Sequence, residues 1–271
     1  MKNPIALVAQ NLLLIFNYCS VETKYVKKYS QSLGRDMEYK IYGNKGKGVL
    51  VFPSQDGRFY DYQDFDMVAA LSQYIDAGRI HLICVDSIDR ETWSAMGGDE
   101  HQRITLHERW FQYIVKELIP EVTRPGEKLI VTGCSMGGFH AANIFFRHPE
   151  LFDTLLALSG IYYAGYFFPN YHDSLVYDNS PYDFLSNMPE DHPYMKLYRQ
   201  KEIILCVGQG NWEEELLDST RKMDALLKAK NVPAWVDYWG YDVAHDWVWW
   251  RKQIVYFMEK LLSWNYNDYV I

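Results

Sequence analysis

Short apolar runs alternate along this chain with longer stretches whose apolar residues recur at helical spacing. Residues 37–42 and 48–52 read as the first strands, with a glycine turn at 43–46 between them, and 81–85, 128–132, 154–158, 202–207 and 234–239 supply five more. Continuous runs such as LLAL and IILCV are what strands look like when both faces of their sheet are covered, because neither face is left for polar residues. Ile104, Phe111, Ile114, Val115 and Leu118 fall on one helical stripe, as do Leu216, Met223, Leu226 and Leu227 before a stop at Asn231 and Pro233. The alternation predicts an α/β fold, with a mostly parallel central sheet and helices on both faces in a three-layer sandwich.

Residues 163–199 break the pattern. They are rich in Tyr, Phe, Pro, Asn and Asp with little periodicity, and read as an irregular, cap-like insertion over a binding site. With no internal repeat, low-complexity tract or linker, the sequence predicts one domain over 29–271 behind an N-terminal extension over 1–28. Within that extension the apolar stretch from Ile5 to Phe16 reads as a helix or as the start of an export signal, although Gln10 and Asn11 interrupt it and no small-x-small cleavage site follows.

Composition narrows the functions open to such a domain. Across 271 residues the formal net charge is −8 and the pI about 5.5, so the chain offers no basic face for a phosphate backbone, and nucleic acid is not an expected partner. No apolar run approaches the roughly 20 residues that span a bilayer. Cys84, Cys134 and Cys206 sit inside apolar runs as small core residues, and with Cys19 they match no zinc or redox spacing. A reducing, cytoplasmic location is expected, with export the alternative. The Trp and Tyr clusters leave room for a homo-oligomer interface.

The chemistry centres on Gly133-Cys134-Ser135-Met136-Gly137, a G-x-S-x-G directly after the apolar run KLIVT and directly before the helical run FHAANIFFRH. A glycine-rich turn explains the bare pattern equally well, but its place between strand and helix matches a nucleophile elbow. There the serine occupies a strained turn, and only small neighbours fit. Gly133, Gly137 and Gly138 meet that need. A serine hydroxyl is a poor nucleophile until a base takes its proton, which calls for a histidine later in the chain. Of eight histidines, His81, His101, His107, His140 and His148 read as surface or packing residues, and His172 and His192 lie in the insertion. His245, in the loop between the last strand and the last helix, is the expected base. The orienting acid is expected after strand 202–207, at Glu213 or else Glu214, with Asp218 a turn too far along; the plainer explanation is a favourable acidic first turn of a helix. For an oxyanion, the backbone amides of Met136 and Gln55 are the expected donors. Trp93 and Tyr60, with aromatic residues over 162–171, are candidates to line a substrate pocket. Trp247, Trp249 and Trp250 are expected to pack the last helix against the sheet, one ring supporting the histidine loop.

With these residues in place, the sequence resembles the Putative esterase family of α/β-hydrolases, whose relatives include S-formylglutathione hydrolase, feruloyl esterase domains and mycolyltransferases. The segments SLGRDMEYKIYG, VFPSQDGRFYDY, VDSIDRETW, GCSMGGFHAANIFFRHPELF, VGQGNWEE and WGYDVAHDWVWWRKQ carry the resemblance, which covers roughly residues 29–262. It implies an α/β-hydrolase fold, with Ser135 as nucleophile, His245 as base, an acid at Glu213 or Glu214, and a second oxyanion donor at Gln55. Two departures stand out: Pro53-Ser54 replaces the family's His-Gly or Asp-Gly pair, and two extra residues precede the acid, here a glutamate rather than the more frequent aspartate. The expected activity is hydrolysis of a small or carbohydrate-linked ester through an acyl-enzyme on Ser135, needing no metal or cofactor, with a small-molecule ester as partner. The alternatives are an acyltransferase using the same residues, a non-catalytic binding protein of the same fold, and, last, a peptidase.

Overall fold

The computed structural model describes residues 21–267. The stretch from Ile5 to Phe16 and Cys19 lie outside the described residues. Eight strands, β1 (Thr23–Ser30), β2 (Arg35–Tyr42), β3 (Lys47–Phe52), β4 (Ile80–Val85), β5 (Leu129–Cys134), β6 (Phe152–Leu158), β7 (Glu202–Val207) and β8 (Trp235–Tyr238), form one sheet in the order β1-β2-β4-β3-β5-β6-β7-β8. β2 pairs antiparallel with β1 and β4, and every other pairing is parallel.

Side chains alternate across the central strands. Leu50, Phe52, Val131, Leu155, Ala157, Ile203 and Leu205 point into one core, and Val49, Val51, Ile130, Leu156, Leu158, Ile204 and Cys206 into the other. The second core is closed by α1 (Met67–Asp76), through Met67, Val68 and Leu71, and by the C-terminal helix Trp247–Asn267, through Ile254, Phe257 and Leu261. The first is closed by α2 (Glu100–Tyr113), α3 (Met136–Arg147) and the helix Glu214–Ala229. Because both faces are covered, strands β3 to β7 are largely apolar, which is what makes them legible.

Two expected boundaries are corrected. The extension does not run to 28, because the sheet already begins at Thr23: β1, reading TKYVKKYS, is a mostly exposed edge strand whose lysines blunt further pairing and erase any apolar run. Nor is the insertion irregular. It holds α4 (Ser174–Asp178), α5 (Pro181–Asn187) and α6 (Pro193–Tyr198). The Asp173 carboxylate caps α4 by accepting from the Val176 amide, and prolines open α5 and α6. The residues that masked periodicity are thus the start signals of helices too short to show any. The helices before and after β8 are α7 (Glu214–Ala229) and α8 (Trp247–Asn267). Among the described residues, no helix is long and apolar enough to cross a membrane.

Candidate active site

The serine side is built by the turn from β5 into α3. Ser135 adopts φ +56°, ψ −121°, a conformation L-residues avoid, and its amide donates to the Leu158 carbonyl on β6 at 2.9 Å. The glycines around it leave no room for a side chain. A Cβ on Gly133 would lie 2.4 Å from the Gly137 carbonyl, one on Gly137 would lie 2.4 Å from the Phe52 oxygen, and one on Gly138 would lie 3.0 Å from the Leu158 oxygen. The elbow therefore wedges α3 against β3 and β6, which points the Ser135 hydroxyl out of the sheet's carboxyl end.

The acid and histidine come from the loops after β7 and β8, which bind each other through backbone. Gln209 N–H donates to the Gly240 carbonyl, Gly210 N–H to the Val243 carbonyl and His245 N–H to the Asn211 carbonyl. That packing brings His245 Nε2 to 2.8 Å from Ser135 Oγ and His245 Nδ1 to 3.2 Å from Glu213 Oε2. Of the two glutamates expected as the acid, Glu213 meets the histidine and is 1% exposed, while Glu214 is exposed on the first turn of α7. Asp218 pairs instead with Lys222. The Trp250 ring stands edge to face on His245 at 4.8 Å, and Trp247 stacks on Phe65.

Met136 and Gln55 face the same question, where their backbone N–H groups go. Neither amide donates to a protein acceptor among the described residues. Gly57 N–H closes a turn onto the Ser54 carbonyl, and the Gln55 side chain donates to Ser94 Oγ, which ties this loop to the segment after β4. Pro53-Ser54, the departure from the family pair, thus sits in a tight turn that still leaves the Gln55 amide unspent. Cys134, next to the serine, is buried on the opposite side, and burial pushes its thiol up, so it offers no competing thiolate.

The expected pocket residues divide. Trp93 is fully buried: its indole donates to His107 Nδ1 and its faces meet Phe139, Phe167 and Phe168, so it packs the core behind the elbow helix and touches no open cleft. Tyr60 is exposed on a polar cleft of about 370 Å³ with Arg58, Asp86 and Ser87, where Arg58 donates to Asp86. Burial raises the Asp86 carboxyl, and the Arg58 hydrogen bond opposes that rise. A larger cavity of about 690 Å³ opens beside α7, walled by Ile161, Tyr163, Tyr166, Tyr182, Glu214 and Glu215. Sequence reading placed aromatics of the insertion near a pocket, but not this acidic wall. Its signal was the same triplet of glutamates read as a helix start. No group of His, Cys, Asp and Glu among the described residues could hold a metal ion.

Sheet order, elbow and layers define an α/β-hydrolase fold. Within that class, the chain belongs to the Putative esterase family, whose model matches residues 30–261. No curated protein sequence matches it. Among solved structures it is similar to a ferulic acid esterase (15% identity, TM-score 0.68, covering 87% of this chain and 96% of that one). It is also similar to an S-formylglutathione hydrolase from Agrobacterium tumefaciens (13%, 0.67, 90% and 94%). A third is FphF, a fluorophosphonate-binding serine hydrolase of Staphylococcus aureus (13%, 0.64, 90% and 98%). Family and fold make this chain an ester hydrolase by class.

Proposed function

We propose that the protein is a serine carboxylesterase working through an acyl-enzyme on Ser135. The observation that carries this reading is the unbroken contact from Ser135 Oγ through His245 to a buried carboxylate, Glu213. His245 Nδ1–H donates to Glu213, which leaves Nε2 free to take the serine proton. Ser135 then attacks the ester carbonyl, and the backbone N–H groups of Met136 and Gln55 donate hydrogen bonds to the developing oxyanion. Protonated His245 returns its proton to the leaving alcohol. Water, deprotonated by the same imidazole, attacks the acyl-enzyme and frees the acid. Glu213 keeps its charge throughout and stabilises the imidazolium. The tyrosine-walled cavity beside α7, whose wall includes Glu214 next to Glu213, and the polar cleft at Tyr60, whose wall includes Asp56 next to Gln55, are the proposed places for the acyl and alcohol parts of the substrate.

The test is labelling by a fluorophosphonate probe together with hydrolysis of p-nitrophenyl esters of graded chain length. The unaltered protein labels and hydrolyses. Ser135→Ala neither labels nor retains more than a trace, with a loss of about 10⁴- to 10⁶-fold in kcat and an unchanged melting temperature. Labelling and turnover that persist in Ser135→Ala refute the reading. Added alcohols that divert the acyl group from water would favour transfer over hydrolysis.

A further inference from the structure

The buried Glu213 carboxylate has a second partner that the reaction above does not use. Ser159 Oγ donates to Glu213 Oε1 at 2.6 Å, and Trp250 Nε1–H donates to Ser159 Oγ at 3.2 Å. Ser159 is 0% exposed and Trp250 4%. The same Trp250 ring lies against His245, so hydrogen bonds run from Trp250 through Ser159, Glu213 and His245 to Ser135, and the indole closes the ring of contacts.

A glutamate needs such an anchor. Its terminal torsion is broad and twofold, and it has one more rotatable bond than aspartate, so a carboxylate held only by the imidazole would swing. Glu213 stands at the N-cap of α7 but makes no capping bond with its side chain, so the helix does not hold it. The indole N–H is a donor with no acceptor capacity, which obliges Ser159 Oγ to accept from it and to turn its own proton to Glu213. One oxygen of the carboxylate is thereby fixed, and the other is aimed at Nδ1–H.

The backbone at Ser159 makes the same point. It sits at φ +49°, held there by its amide donating to the Cys206 carbonyl on β7 at 2.7 Å. Glycine would take this conformation at lower cost. It would also leave Glu213 Oε1 and the Trp250 N–H buried without partners. A serine here is disfavoured by its main chain and explained by its hydroxyl.

We propose that Ser159, locked by Trp250, is a positioning residue that orients the Glu213 carboxylate toward His245. The proposal rests on the acyl-enzyme reading above. Ser159→Gly is the decisive variant, because it relieves the positive φ while deleting the hydroxyl. On p-nitrophenyl acetate, kcat falls about ten- to a hundred-fold with KM changed less than about twofold, and the protein still folds, with a lowered melting temperature because the relieved φ offsets only part of the two orphaned groups. The acidic limb of kcat/KM moves to lower pH, since a swinging carboxylate supports the imidazolium less. Combined with Glu213→Gln, Ser159→Gly adds almost nothing further. Trp250→Phe, which keeps the ring against His245 and loses the N–H, gives a smaller fall of the same kind. A Ser159→Gly protein with unaltered kcat and an unmoved acidic limb overturns the proposal, provided Ser135→Ala is inactive. Activity surviving in Ser135→Ala overturns instead the reading on which it rests.

Discussion

On its serine side the site is fixed by backbone packed against the strands of the sheet, and on its acid and histidine side by two loops joined through backbone, with side chains buried beneath them. The elbow's three glycines abut main-chain atoms of β3, β6 and α3 itself, so the position of Ser135 follows from the sheet. Glu213 and His245 instead depend on the fit of loop 208–213 to loop 240–245, and on Ser159 and Trp250 beneath them. Backbone constraint leaves a mark in the sequence, since only glycine satisfies it. Side-chain constraint can be met by several residue types and leaves almost none.

The largest effect that would sharpen this contrast concerns the two neighbouring glutamates. Glu213→Gln is expected to cost about 10³- to 10⁴-fold in kcat, because the amide N–H donates to Nδ1, moves the imidazole proton to Nε2 and leaves no base facing Ser135. Glu214→Gln, one residue along, exposed and out of contact with His245, should cost far less in kcat for p-nitrophenyl acetate, under about ten-fold, with its place in the cavity wall read in KM for longer esters. Steady-state kinetics of the pair separates them; equal losses would mean that the two loops are arranged differently from the geometry described here.

That pair also shows where sequence reading stopped. The meeting of Ser135 with His245 was legible because motif, chain order and flanking elements agree. The acid was open between Glu213 and Glu214, since three consecutive carboxylates look alike until the loop contact buries one of them to 1% exposure. Trp93 was read as a pocket residue because it follows a strand end, and only tertiary packing shows its indole spent on His107. Edge strand β1 was missed because charged side chains on an exposed edge carry no apolar period. Trp250 was among the tryptophans expected to support the histidine loop, and its ring lies on His245, but Ser159 gave no signal, as nothing local links it to Glu213, 54 positions away, or to Trp250, 91 away.

A second pair of variants sets the flanks directly against each other. A Cβ at Gly137 would sit 2.4 and 2.6 Å from the carbonyl oxygens of Phe52 and Pro53, atoms held at the centre of the sheet. Gly137→Ala should therefore fail to give folded protein, or melt far below the parent. A Cβ at Gly210 meets the Val243 and Tyr241 backbone at 2.8 and 2.9 Å, atoms of the loop after β8 rather than of the centre of the sheet. Gly210→Ala should fold with a small drop in melting temperature and lose about ten-fold or more in kcat as Glu213 is displaced, a misplacement effect. Thermal melts read beside kcat would break the comparison if both variants failed in the same way.

The smallest expected effect tests the buried polar layer behind the serine helix. His107 accepts the Trp93 indole N–H at Nδ1, so its proton resides on Nε2, which faces Asn179 Oδ1 at 3.1 Å. Burial, with His140 and Arg147 adding to it, holds the imidazole well below its usual range, while the bond to Asn179 works the other way. Glu108 pairs with Arg147 nearby, and Asp89 pairs with His140. A folded-state pKa below the unfolded value means that the unfolded chain takes up a proton first as pH falls. The contribution of a neutral His107 is therefore complete above about pH 6.5 and is lost on acidification, at up to about 1.4 kcal/mol per pH unit. Urea unfolding between pH 7.5 and 5 should show that slope, and His107→Gln should flatten it while lowering stability at pH 7.5. On the acid flank the imidazole of His245 is partly exposed beside Glu213, so a slope that survives unchanged in His107→Gln would erase the distinction between the two sides.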